Sequence, residues 1–138
     1  METALSIAAI TIAVISAAAA GVACYYVRME IRMMRYTYLA NKWYEIKEKE
    51  FINPDFTDPS KTSTYKTSFT GNVLRKYETF TWICWGHAED VFRNKWHKDP
   101  GFQSSLKWCK SLHYSWLNEP DNKKYFSSDF LRYVDELK

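Results

Sequence analysis

The sequence predicts an all-α membrane protein in which a single N-terminal transmembrane helix continues into a cytoplasmic stalk, followed by a small helical hairpin and a C-terminal helix. Two observations support this fold class. Residues 3–27 contain no charged side chain, although 25% of the 138 residues are Asp, Glu, Lys or Arg. The remaining residues show apolar positions at helical spacing, with no alternating pattern typical of strands.

Residues 4–27 form the predicted transmembrane helix. A helix needs about 20 mostly apolar residues, at a rise of about 1.5 Å each, to cross the hydrocarbon core. A cleaved signal peptide is a weaker alternative, because no basic residue precedes the apolar run and the run exceeds the about 7–15 residues of a signal core. A lipoprotein-like box ending at Cys24 is a second alternative, although Gly21 stands where such a box prefers a large aliphatic residue.

Basic residues follow the predicted span, and none precedes it. Because cytoplasmic flanks carry an excess of Lys and Arg, this asymmetry predicts an N-terminus outside and a cytoplasmic chain from residue 28 on, in the inner (cytoplasmic) membrane. Aromatic rings at the headgroup level and arginines that reach the headgroups would anchor the span in the lipid bilayer. The predicted interfacial anchors are Tyr25, Tyr26, Arg28, Arg32 and Arg35.

Small residues recur at every fourth position of the predicted span. They are Ala9, Ala13, Ala17 and Gly21. Residues four apart share one face of a helix, and membrane helices associate closely where small residues let their backbones approach. The row therefore predicts a transmembrane packing face. The alternative is that alanine is simply common in membrane spans.

Residues 28–52 are predicted to extend the same helix as a juxtamembrane stalk, because they contain no Gly or Pro and their apolar residues recur at spacings of three and four. The helix should end near Ile52, since Pro54 disfavours helical geometry in the preceding residue. Residues 53–71 carry two prolines and many Ser and Thr residues. They predict an ordered but irregular loop.

Residues 72–138 are predicted to form a cytoplasmic helical domain. Asn72 is the expected N-cap of its first helix, and Ser127 or Ser128 that of its last. Gly and Pro residues mark the turns between the helices. The helices are predicted at 72–96, 102–117 and 129–137, with a turn at 97–101 and a break at 119–122.

Aromatic residues make up 17% of the chain, more than a small core requires. Trp82 and Trp85 lie beside different apolar stripes, so not every tryptophan can point inward. Exposed aromatic rings beside Lys and Arg suit a protein interface or a lipid-facing surface, whereas the alternative is a crowded small core. The candidate protein interface consists of Trp43, Trp82, Trp85, Trp96 and Trp108.

The sequence offers little catalytic chemistry. Its four glycines are isolated, which excludes a glycine-rich phosphate loop, and its three cysteines lack disulfide or zinc spacing. His87 can meet His113 across the hairpin, and Cys84 lies one turn from His87, but Cys84 and Cys109 fall on apolar stripes, where burial raises the pKa of a thiol. We therefore predict no enzyme activity, no catalytic, cofactor-binding or metal-binding residue, and no small-molecule substrate.

The charges argue against a nucleic-acid partner. The chain has 19 Lys and Arg residues against 16 Asp and Glu residues, for a formal net charge of +3. Because the two signs are interspersed, no large basic face is expected.

Three short motifs follow one another in the second half of the chain. Residues 77–80 (Tyr-Glu-Thr-Phe) open a helix, residues 88–92 (Ala-Glu-Asp-Val-Phe) close it, and residues 126–130 (Phe-Ser-Ser-Asp-Phe) precede the last helix. In this order, over residues 72–137, the chain resembles an uncharacterised bacterial family of membrane-anchored proteins with a small helical domain. The resemblance implies the architecture only, because that family has no known activity and transfers no site residue.

The function that these patterns favour is that of a non-enzymatic accessory or assembly subunit of a larger membrane protein complex. Its partners would be integral membrane proteins, bound through the small-residue face and the aromatic-rich cytoplasmic domain. The alternative is a stand-alone membrane-tethered adaptor or sensor that recruits a soluble partner. The first is favoured because a mere tether needs only hydrophobicity, whereas a row of small residues suits helix packing.

Overall fold

The computed structural model describes the backbone of residues 2–138 and the side chains of residue 7 and of residues from Ala9 on. All regular secondary structure in this part of the chain is helical, which confirms the predicted all-α class. The chain divides into two compact units, one up to Thr37 and one from Tyr38 to Lys138. The side chains of residues 4–6 and 8, in the predicted span, lie outside the described part.

Helix α1 (Glu2–Ile52) is continuous, as the absence of Gly and Pro after Gly21 predicts. It ends where expected, because Asn53 precedes Pro54 and turns away from helical geometry at ψ 72°. The Asn53 side chain then donates a hydrogen bond to the Lys49 carbonyl at 3.0 Å. Over Ala9–Ile52 the helix is long and apolar enough to cross a membrane.

The segment predicted as an irregular loop, residues 53–71, contains three single helical turns. A 3-10 turn (Pro54–Thr57) is followed by α2 (Pro59–Thr62) and α3 (Tyr65–Ser68). Proline begins the first two turns, since its fixed φ suits the first helical position. The Asp58 side chain caps α2 by accepting a hydrogen bond from the Ser60 N–H at 2.9 Å.

Buried aromatic rings fix this segment to the rest of the second unit. Phe69 packs against Tyr77 with ring centroids 4.7 Å apart, and Tyr65 approaches the same ring at 5.3 Å. Phe56 contacts both Phe69 and Tyr77, at 5.5 and 5.4 Å. The segment is therefore ordered by aromatic packing around Tyr77, although its turns are too short to show a helical period in the sequence.

Helix α4 (Gly71–Arg93) begins one residue before Asn72 and ends before the predicted Trp96. It stops because Lys95 adopts a left-handed conformation at φ 61°. The Lys95 N–H donates to the Phe92 carbonyl at 2.9 Å, and the Trp96 N–H donates to the Val91 carbonyl at 3.0 Å. These two bonds form a Schellman cap, which usually has glycine at the left-handed position.

Helix α5 (Pro100–Leu117) packs against α4 as the second arm of the predicted hairpin. Its start is set by Asp99, whose carboxylate accepts hydrogen bonds from the Gly101 and Phe102 N–H groups at 3.0 and 3.4 Å. After the break, α6 (Pro120–Lys123) is a single turn and α7 (Ser128–Glu136) is the C-terminal helix.

The core of the second unit lies where α4, α5, α7 and the last turns of α1 meet. From α1, Leu39 and Ile46 are fully buried. From α7, Phe130 and Val134 are fully buried, and Phe130 approaches the Trp85 ring at 6.2 Å. The C-terminal part of α1 is thus a component of this core.

Candidate interaction surfaces

The small-residue row keeps an open face on α1. Ala9, Ala13, Ala17 and Gly21 are all exposed, and a Cβ atom placed on Gly21 would meet no described atom outside its own stretch of helix within 4 Å. The larger aliphatic side chains around the row are exposed as well, among them Ile10, Ile12, Val14 and Ile15. No part of the described chain covers this apolar surface. Whether the row packs against another helix stays a prediction.

The predicted interfacial anchors are also solvent-accessible in the first unit. The Tyr25 and Tyr26 rings are exposed and meet edge to face at 5.9 Å. Arg28, Arg32 and Arg35 are exposed on the same helix. Their side chains are therefore placed where headgroup contacts are sterically possible.

Trp85 must be removed from the candidate interface. Its side chain is 0% exposed, and its indole N–H donates a hydrogen bond to the His113 carbonyl at 3.2 Å. Phe130 of α7 packs edge to face against the same ring, with centroids 6.2 Å apart. The sequence placed Trp85 at the border of the apolar face of α4, and α7 widens that face enough to bury it.

Trp43 and Trp108 face each other instead of standing apart on the surface. Their rings meet edge to face at 5.3 Å, and Trp43 also stacks on His87 at 5.9 Å. The Lys47 ammonium lies 4.3 Å from the Trp108 centroid and 2.6 Å from a Glu50 carboxylate oxygen. Both tryptophans are half-buried, and their contact joins α1 to α5.

An exposed aromatic surface surrounds Trp82; we call it the Trp82 patch and define it as Trp82, Trp116, Tyr125 and Phe126. Trp82 is 44% exposed and Tyr125 58% exposed, with their rings 5.0 Å apart. Buried Trp116 and Phe126 support the Trp82 ring from behind. Tyr125 was missed because it follows α6 in a segment without helical period. Trp96 is half-buried beyond the end of α4.

Two buried histidines, His87 and His113, pack against the rings of Trp43 and Trp108. Among the described residues, neither ring nitrogen of His87 has a hydrogen-bond partner. Burial, and to a lesser extent the charge of Lys42, lowers the pKa of His87 to about 4. His113 shares a 3.2 Å hydrogen bond with the Tyr77 hydroxyl, and burial lowers its pKa to about 3. Both imidazoles are thus neutral near pH 7.

The two cysteines of the hairpin lie together in the core. Cys109 Sγ is 3.9 Å from the Cys84 carbonyl oxygen. Burial and the neighbouring Cys109 thiol raise the pKa of Cys84 well above its usual range. A thiol in this state is a poor nucleophile, because the thiolate is the reactive form. Within the described residues, no cluster of three or more His, Cys, Asp or Glu side chains could hold a metal ion.

No protein-family model, curated protein or solved structure matches this chain. The resemblance to membrane-anchored bacterial proteins with a small helical domain therefore rests on the sequence motifs alone.

Proposed function

We propose that this protein is a non-enzymatic accessory or assembly subunit of a larger membrane protein complex. In this proposal α1 spans the inner (cytoplasmic) membrane once, with the N-terminus outside and the second unit in the cytoplasm. The small-residue row packs against an integral membrane protein, and the Trp82 patch contacts the cytoplasmic side of the same complex.

The observation that carries the proposal is the uncovered apolar surface of α1. The most apolar stretch of this helix has no residue buried by the described chain. A core helix of a soluble protein would be mostly covered, because exposed apolar patches beyond a few hundred Å² are rare on monomers. Lipid and another membrane helix are the two environments that suit such a surface.

The charge distribution supports the proposed orientation. Arg28, Arg32 and Arg35 follow the apolar stretch, whereas no basic residue precedes it. The positive-inside rule then assigns residues after the span to the cytoplasm. Buried free thiols at Cys84 and Cys109 agree with a reducing compartment.

The experiment is a pull-down of the tagged full-length chain from membranes in mild detergent. The test variant changes Ala13, Ala17 and Gly21 together to Leu, so that the backbones of two helices can no longer approach. We expect a large membrane complex with the wild type, and at least about tenfold less of it with the variant, corresponding to about 1.4 kcal/mol of lost helix packing.

The matched control changes Thr11, Ala19 and Ala23 to Leu, because each lies two residues from a member of the row and helical spacing therefore puts it on the opposite side of α1. This control adds the same side chains and should keep the complex. Equal loss of the complex with both variants would show that added side-chain volume on either side of α1 disrupts it, and would contradict the proposed packing face. Recovery of the same soluble partner with all three proteins would favour the tethered adaptor, in which α1 is only an anchor.

A further inference from the structure

A groove of about 460 Å³ lies in the second unit, between the end of α1 and the first half of α4. Lys49 and Ile52 line it from α1, three residues apart and so on one helix face, and Asn53 lines it just after the helix ends. Phe56 also lines the groove. The wall from α4 follows the same rule and consists of Asn72, Arg75, Lys76, Thr79, Phe80 and Ile83.

Cations stand on both walls of the groove, Lys49 on α1 and Arg75 and Lys76 on α4. None of the residues that line it is acidic. Among the described ion pairs, none involves these three side chains, whereas Lys47 and Lys61 elsewhere in this unit are paired with carboxylates. The groove therefore has an uncompensated positive charge.

The N-terminal end of α4 adds to this positive potential. No acidic residue occupies its first turn, and the Thr70 side chain makes no capping hydrogen bond. The N-terminus of a helix carries a partial positive charge, which an acidic residue in the first turn would normally offset. An anion in the groove would thus meet the helix end as well as the side chains.

The inner part of the groove is apolar. Buried Phe56 and Phe80 form its base, with ring centroids 5.5 Å apart. Half-buried Ile83 lies one turn beyond Phe80, and Ile52 on the opposite wall is 67% exposed. An apolar base with a cationic rim suits a ligand that carries both an apolar side chain and negative charge.

We propose that this groove binds an acidic segment of a partner protein, with carboxylates paired to Arg75, Lys76 and Lys49 and an apolar side chain against Phe56, Phe80 and Ile52. Charge complementarity selects the occupant, since an acidic segment compensates the three cations. The guanidinium of Arg75 can hold a carboxylate through two hydrogen bonds. The proposal rests on the proposed function only in assigning the segment to a protein partner.

The test measures binding of a fluorescent peptide of alternating Glu and Leu residues to the full-length chain in nanodiscs of phosphatidylcholine. The comparison peptide has Gln in place of every Glu. Fluorescence anisotropy should show binding of the acidic peptide that weakens as salt is added, because exposed charges are screened. The Gln peptide should bind at least about tenfold more weakly.

The variant Arg75→Gln/Lys76→Gln should weaken binding of the acidic peptide about tenfold. Its matched control is Lys98→Gln/Lys107→Gln, which removes two exposed cations outside the groove and should leave the affinity unchanged. Ile52→Ser tests the apolar contact and should weaken binding several-fold. Thermal unfolding of each variant confirms that the fold is kept.

Three results would overturn the proposal. They are failure of the acidic peptide to bind, equal weakening by the two charge variants, and equal binding of the Gln peptide. Binding of dispersed short-chain phosphatidylglycerol without peptide binding, lost in Arg75→Gln/Lys76→Gln, would overturn it in favour of a lipid site. Peptide binding without any recovered membrane complex would leave the groove proposal standing and reject the subunit proposal, so the two failures are distinguishable.

Discussion

His87 and His113 are enclosed largely by aromatic rings, and three of their four ring nitrogens have no hydrogen-bond partner among the described residues. Trp43 stacks on His87, and Trp108 meets His113 edge to face at 5.2 Å. Burying an imidazole in apolar surroundings disfavours its charged form. The folded chain therefore holds both rings neutral down to a pH at which the unfolded chain has already bound protons.

The pKa shifts predict that acid destabilises the second unit. An unfolded histidine has a pKa of about 6.5, whereas folding lowers the pKa of His87 to about 4 and that of His113 to about 3. As pH falls below about 6.5, the unfolded state binds more protons and stability decreases by up to about 1.4 kcal/mol per pH unit for each histidine. Urea unfolding of the full-length chain, followed by tryptophan fluorescence between about pH 7 and about pH 5, measures this slope.

His87→Phe provides the control for this prediction. The substitution keeps an aromatic ring against Trp43 and removes one titrating group, so the slope should fall by about half. At pH 7 the variant should be as stable as the wild type or more stable, because it removes two buried nitrogens that lack partners in the described structure. An unchanged slope would show that His87 does not titrate as described.

Burial on α4 could be predicted at most positions but not at Trp85. Tyr77, Cys84, Ala88 and Val91 recur at helical spacing, and all are buried. Trp85 lies next to this stripe, where its burial depends on whether another element covers it. Phe130 of α7 provides the cover, and a helical period alone cannot place one helix on another.

At the scale of elements, α7 is attached to α4 through a buried carboxylate. Glu89 Oε1 accepts hydrogen bonds from the Ser127 N–H at 2.9 Å and the Ser127 hydroxyl at 2.8 Å. Arg93 pairs with the same oxygen at 3.1 Å. Ser127 is the N-cap of α7, so the Glu89 charge also lies at the positive end of that helix.

Glu89→Gln is expected to lower the free energy of unfolding by about 1–2 kcal/mol, because it removes the charge while keeping the shape of the side chain. Relative to the wild type, hydrogen exchange in this variant should increase more in Ser128–Glu136 than in the middle of α4. The neighbouring Asp90→Asn is the control, since the Asp90 side chain is exposed and its loss should cost less than about 0.5 kcal/mol. Equal exchange of α7 in both variants would contradict the role assigned to Glu89.

Helix ends were predictable where a residue type dictates the backbone. Pro54 ended α1 at Ile52 as expected. The end of α4 was predicted too late, because Lys95 adopts the left-handed conformation that glycine normally signals. The start of α5 was placed two residues late, although Asp99 followed by Pro100 is an N-cap pattern that could have located it.

At the scale of the whole molecule, the boundary at Thr37 and Tyr38 predicts which part of the chain folds alone. Deleting residues 2–37 should leave a chain that unfolds cooperatively, with a stability within about 0.5 kcal/mol of the full-length protein, because Leu39 and Ile46 are retained. Deleting residues 2–52 should abolish cooperative unfolding. Each of these buried aliphatic residues contributes about 2–5 kcal/mol, a large share of a typical total of about 5–15 kcal/mol.

Tryptophan fluorescence and urea unfolding would compare the two truncated chains. Cooperative unfolding of both would show that the last turns of α1 are dispensable for the core. The sequence predicted that α1 continues past the apolar stretch, since residues 28–52 contain no Gly or Pro that would end a helix. It assigned residues 28–52 to a stalk, because an apolar seam does not reveal which helices will pack on it.

Contact between Trp43 and Trp108 also has a consequence for biosynthesis. A ribosome adds about 5–20 residues per second, so the about 65 residues between these two rings take several seconds to make. During that interval Leu39, Trp43 and Ile46 have been synthesised while their partners on α4 and α5 are still missing. The newly made chain thus passes through a state in which these apolar side chains are exposed to solvent. A chaperone or an early-binding partner would have to cover them to prevent aggregation.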